Sequence, residues 1–251
     1  MIKLENYEVA GWEHAIRGMR NPMNSWEKSD SHYCGVEGNW PQDVCNDCVH
    51  FPNDRCLNSP EIPYIVGPND HDLMTRLRNA GTDHRKFMRM IAVYVDITAP
   101  LYWWKEFDTY KVGTTANSCS TMHKIHEKEF TLDDFSHEHL TLVHAGDFPL
   151  GTCRSVDPLK NTIQFLNEYR RRHNDTTDPE WKKKYFNQMI QLLPSSYNQK
   201  RTVMLNYEVL ANIYHSRKNH KLDEWRELCK WIEVLPYSKL ITGKMEEKND
   251  G

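Results

Sequence analysis

Apolar positions recur at two periods along this chain of 251 residues, and each change of period marks an element. From Phe87 to Thr98 the residues alternate, with Ile91, Val93, Val95 and Ile97 on one side, which predicts a strand. Thr202 to Leu205 predicts a second, shorter one. Elsewhere the period is helical. Leu73 and Leu77 share a face in a helix over 70–80, which Gly81 closes. Leu101, Trp104 and Phe107 predict an aromatic helix that starts at Pro100 and buries the Trp103–Trp104 pair. Ile163, Leu166 and Tyr169 predict a helix from Asp157 to His173, and Trp181, Tyr185, Met189 and Leu192 one from Glu180 to Leu193. Asn206 is a natural cap for a helix carrying Val209, Leu210, Ile213 and Tyr214. Leu222, Trp225, Leu228, Cys229 and Ile232 form the inner face of a last helix over 222–235.

Three stretches lack a period. Residues 4–20 hold a strand and a short helix, ended by Gly18 and Pro22. Residues 21–69 are rich in Asn, Asp, Pro, Gly and Cys and predict an insertion or lid. Residues 113–121 are small and polar, a loop suited to present hydroxyls and amides. The tail from 243 is predicted to be disordered. The rest, 1–242, reads as one α+β domain, a mixed sheet flanked by helices with a Cys-rich insertion.

Charge excludes some partners. The net charge of −3 creates no global basic field, so no nucleic-acid partner is expected. The triple Arg170–Arg172 suits a helix C-terminus without one. No apolar run spans a membrane and no signal core opens the chain, so a cytoplasmic protein without membrane partners is expected.

The candidate chemistry is sparse. Seven Cys should be thiols or ligands in a reducing compartment. Cys45 and Cys48 have the spacing of a zinc pair but no matching second pair, so a structural zinc there competes with a plain loop of thiols. His126, His137, His139 and His144 make no ligand pattern, and no metal site is predicted from them. Cys119 reads as a small buried thiol. Gly-rich phosphate loops, Gly-x-Ser-x-Gly and His-Glu-x-x-His are all absent from the sequence.

Residues 81–125 and 187–232 resemble the flavin-dependent thymidylate synthases. A strand, Ala99-Pro100 and an aromatic helix stand at the family's spacing, followed by Asn117 and Ser120 of its Asn-Glu-x-Ser-x-Arg-Tyr run. Asn206, Asn212 and Arg217 keep the family's mutual spacing, and His84 falls on a family His near the cofactor. The family's Arg-His-Arg triplet is missing. Thr109-Tyr110-Lys111 or Tyr110-Lys111-Val112 stands there, and only Lys111 supplies charge.

The resemblance implies a homotetramer that binds FAD and methylates dUMP, or a related pyrimidine nucleotide, to dTMP with methylenetetrahydrofolate and NADPH. It implies substrate contacts at Ser120, Arg217 and Lys111, and cofactor contacts at His84, Asn117, Asn206 and Asn212. It names no catalytic residue. The lost triplet favours an alternative, a non-catalytic nucleotide-binding or assembly protein that retains the fold. A zinc-dependent nucleic-acid binder ranks behind both.

Overall fold

The computed structural model describes residues 2–33, 64–120, 124–140 and 156–243. The elements are β1 (Lys3–Ala10), α1 (Trp12–Arg20), β2 (His32–Tyr33), β3 (Tyr64–Ile65), α2 (Pro68–Asn79), β4 (Ala92–Pro100), α3 (Leu101–Phe107), β5 (Thr115–Ser118), α4 (Asp157–Asp175), α5 (Pro179–Leu192), β6 (Asn198–Asn206), α6 (Tyr207–Arg217), α7 (Asp223–Glu233) and α8 (Lys239–Thr242). A four-stranded sheet runs in the order β1-β4-β6-β5, and β2 pairs antiparallel with β3. The fold is α+β, as expected. Among the described residues, no helix is long and apolar enough to cross a membrane.

The chain divides into two compact units. The first comprises 1–5, 96–111 and 116–203, and the second 6–95, 112–115 and 204–251. In the first, Ile163, Leu166 and Met189 of the α4–α5 hairpin pack with Ile125, Phe130 and Phe135. Trp103, Trp104 and Phe107 of α3 are buried, and Trp103 stacks on Phe107 at 5.0 Å. Trp104 also donates its indole N–H to the Gln199 carbonyl at 3.0 Å, which satisfies the polar edge of a buried ring.

In the second unit, Trp12 meets Tyr207 and Tyr237 edge-on at 5.3 and 5.0 Å. Tyr207 is fully buried and its hydroxyl bonds the Pro236 carbonyl. Ile213 of α6 and Leu228 and Ile232 of α7 are buried, as their period predicts. Buried Arg20 donates to Asp70 at 2.6 Å, and Asp70 also accepts Ser29 and Ser31 hydroxyls at 2.7 and 2.6 Å.

Several expectations are corrected. Gly18 does not end α1, which runs through it to Arg20. A Cβ there would lie 2.9 Å from Met90 Sδ, the end of an exposed and flexible side chain, so Gly18 packs under Met90 inside the helix rather than ending it. Residues 85–90 form a 3-10 turn, and the strand starts only at Ala92. β6 begins four residues before the predicted strand. Its first half is polar because the side chains of Gln199, Lys200 and Arg201 find partners in the Cys119 carbonyl, Asp96 and Asp108. The polar loop contains the short strand β5, whose residues are all exposed. Of the proposed insertion, 34–63 lie outside the described residues, as do Cys45, Cys48 and the tail beyond 243.

Candidate functional site

Site residues in the second unit cluster on α6 and its flanks. Asn206 adopts an extended conformation (φ −136°, ψ 170°) and its Oδ1 accepts the Val209 N–H at 3.0 Å, so it is the N-cap of α6. Asn212 is exposed one and a half turns later. Arg217, in the last turn, places its guanidinium 4.8 Å above the Trp225 ring, a cation–π contact that pre-aligns the head group. The His220 ring stands 6.2 Å from Trp225, and its Nδ1 accepts the Leu222 N–H at 3.2 Å. Nε2 therefore carries the proton in the neutral ring. His84 is exposed at the entry to the 3-10 turn.

A buried charge group, not anticipated from sequence, sits at the base of α6. Glu208 accepts Arg85 Nε at 3.2 Å and pairs with Arg89. Its carboxylate occupies the first turn, where the helix dipole favours an anion. Hydrogen bonding to Glu208 holds the Arg89 guanidinium above its ordinary value. Arg78 is also buried and donates to the Leu240 carbonyl at 3.2 Å; burial, and then the neighbouring Arg85 charge, lower its affinity for a proton.

Gly113 and Thr114 complete this end of α6. Gly113 has φ +76°, and a Cβ there would lie 2.8 Å from Asn206 Nδ2 and 3.2 Å from Val209 Cγ2. Thr114 Oγ1 is buried and has no hydrogen-bond partner among the described residues. Gly113 could have been marked from the sequence as the one glycine of the polar segment. Nothing in the sequence points to Thr114.

The first unit holds Lys111, Asn117 and Ser120. Lys111 is exposed after α3, Asn117 lies on β5, and Ser120 follows it, exposed. Cys119 donates its backbone N–H to the Lys200 carbonyl at 2.9 Å. Its thiol is exposed rather than buried, because β5 sits at the sheet edge. On β6, Lys200 reaches Asp96 at 3.0 Å, and that hydrogen bond raises the ammonium pKa. Thr202 donates to the same carboxylate at 2.7 Å. Arg201 bonds Asp108 at 2.7 Å and lies 4.1 Å above the Trp104 ring. Lys124, beyond β5, is paired with Glu127. A recess of about 320 Å³ on the α4–α5 hairpin, between Arg172, Trp181 and Tyr185, includes no predicted site residue. Among the described residues no three His, Cys, Asp or Glu converge on a metal position.

No protein-family profile matches the chain, and no curated protein does. Solved structures match along nearly its whole length. Thymidylate synthase X from Helicobacter pylori, crystallised with FAD and dUMP, is 16% identical, with 96% of this chain and 95% of that one covered and a TM-score of 0.56. A second complex of that enzyme gives 16% identity, 96% coverage of both chains and 0.54. The UMP/dUMP methylase PolB from Streptomyces cacaoi, bound with 5-Br dUMP, is 11% identical, with 96% and 93% covered and a TM-score of 0.53. The chain shares their fold.

Proposed function

We propose that this protein binds FAD and a uracil nucleotide and methylates the pyrimidine at C5. The observation that carries the reading is the fold shared over 96% of the chain with thymidylate synthase X and a UMP/dUMP methylase. The spacing of Asn206, Asn212 and Arg217 supports it. The residues present also fit a planar heterocycle with a polar edge. Asn206 Nδ2 and the buried Thr114 hydroxyl lie beside a glycine position that a Cβ would fill.

Each residue has a role in this reading. Arg217 binds nucleotide phosphate, since its fork spans two oxygens. Ser120 meets the pyrimidine. Lys111 supplies the charge that remains where the arginine triplet would stand. His84, Asn206 and Asn212 of the second unit are assigned to the flavin, and so, separately, is Asn117 of the first. When bound, reduced flavin would supply the hydride, with methylenetetrahydrofolate as carbon donor and NADPH as reductant. The assembly is a homotetramer, the nucleotide is the partner, and the location is cytoplasmic.

A second reading keeps the nucleotide site without the reaction. It is favoured by the residues at the triplet position, where Val112 is 91% exposed and carries no charge. Release of tritium from C5-labelled dUMP separates the two readings. The enzyme reading requires release that depends on methylenetetrahydrofolate and NADPH. Nucleotide binding with no release would leave the second reading.

A further inference from the structure

Asn206 carries two separable hydrogen-bonding groups. Its Oδ1 caps α6 by accepting the Val209 N–H at 3.0 Å. Its Nδ2 makes no hydrogen bond among the described residues, although the residue is only 9% exposed. Nδ2 is not among the buried unpartnered atoms, so it keeps a face accessible to a ligand and can donate to one. The nearest neighbour on that side is Gly113, where a Cβ would stand 2.8 Å from Nδ2. Glycine at +76° is comfortable there, while any other residue would be strained and would cover the amide. The next residue contributes Thr114 Oγ1, which is buried and likewise unpartnered among the described residues. A hydroxyl both donates and accepts, whereas the amide nitrogen only donates.

We infer that Gly113, Thr114 and Asn206 form a recognition edge for a cyclic imide, the carbonyl–NH–carbonyl face shared by uracil and the flavin ring. Asn206 Nδ2 donates to a ring carbonyl, and Thr114 Oγ1 accepts the ring N–H. Gly113 is a positioning residue, which keeps the amide uncovered and its rotamer fixed by the cap. This inference rests on the function proposed above. It adds Gly113 and Thr114 to the site and assigns them the ligand's polar edge.

The test is binding, read without turnover. FAD and dUMP are titrated separately into the full chain and into Thr114→Val, Asn206→Asp and Gly113→Ala. Losing one neutral hydrogen bond should weaken the cognate ligand about 2- to 12-fold in Thr114→Val. A loss with FAD assigns the edge to the flavin, and a loss with dUMP assigns it to uracil. Asn206→Asp keeps the cap oxygen, so its thermal melting should stay close to wild type while binding of the imide ligand falls. If the edge meets uracil, the same variant should improve dCMP relative to dUMP, because cytosine offers an amino donor; a purely structural Asn206 would leave that ratio unchanged. Gly113→Ala should weaken the same ligand as Thr114→Val. Wild type that binds neither FAD nor dUMP would overturn both the reading and the inference. Wild-type binding matched by Thr114→Val and Asn206→Asp would overturn the inference alone.

Discussion

Asn206 Oδ1 accepts the Val209 backbone N–H at 3.0 Å, so the residue assigned to the flavin is also the cap of α6. The two roles have different costs. Asn206→Ala should lower stability by about 1 kcal/mol through the lost cap. Asn206→Asp should retain most of it, since Asp caps as well as Asn. Chemical denaturation of both variants checks this. Equal destabilisation by Ala and Asp would show that the cap oxygen is not what matters.

Arg217 stacks on Trp225 with its guanidinium carbon 4.8 Å from the ring, which orients the head group while leaving the residue half-buried. If it holds phosphate, Arg217→Ala should weaken dUMP binding about 10- to 150-fold, the range for a hydrogen bond to a charged group. Deoxyuridine, which lacks the phosphate, should bind the variant and wild type alike. Calorimetry on both ligands checks the pair. An equal loss for the nucleoside would place the effect in the ring pocket or the fold.

Buried Asp70 is bonded by Arg20 and by the hydroxyls of Ser29 and Ser31. Burial by itself raises its pKa, but the Ser31, Ser29 and Arg20 hydrogen bonds outweigh it, and the net shift is downward. A carboxylate depressed in the native state stabilises it fully above the unfolded value of about 3.9. That contribution is lost as pH falls through the native value. Asp70→Ala should therefore cost about 3 kcal/mol at neutral pH, because it strands the buried Arg20 charge. Its deficit relative to wild type should shrink below pH 4. A deficit independent of pH would contradict the ion-pair account.

His126 and His173 place their rings 4.6 Å apart, and His126 Nδ1 is buried without a partner among the described residues. Burial first, and then the His173 ring, lower the His126 pKa. A depressed histidine costs nothing above its unfolded value near 6.5. Stability falls as pH drops through that value, because the unfolded chain takes up the proton first, and the loss saturates below the native pKa. His126→Asn should flatten this part of the Tm profile between pH 7 and 5. An unchanged profile would assign the acid sensitivity elsewhere.

Much of the fold was legible because its long elements are strongly periodic. The bounds of α4, α5 and α7 follow their apolar positions closely, and Asn206 was readable as a cap from its place before an apolar helix. The misses share a cause. Gly18 looked like a stop, but it lies inside α1 under Met90. The first half of β6 looked like loop because its polar residues find partners on the neighbouring segments of the first unit, which local sequence cannot show. Cys119 read as buried, yet the edge strand leaves it exposed. At the candidate site the resemblance picked out Asn206 and Arg217 but not Thr114 or the Arg85–Glu208 pair. Their significance depends on burial, and no spacing records burial.

The central claim is that the shared fold still holds a flavin and a uracil nucleotide despite the lost arginine triplet. The absorbance spectrum of the purified protein, incubated with FAD and freed of excess, tests it most directly. The account predicts a yellow protein with flavin absorbance that bleaches on adding NADPH or dithionite. A colourless protein that takes up no FAD, with or without dUMP, would contradict it.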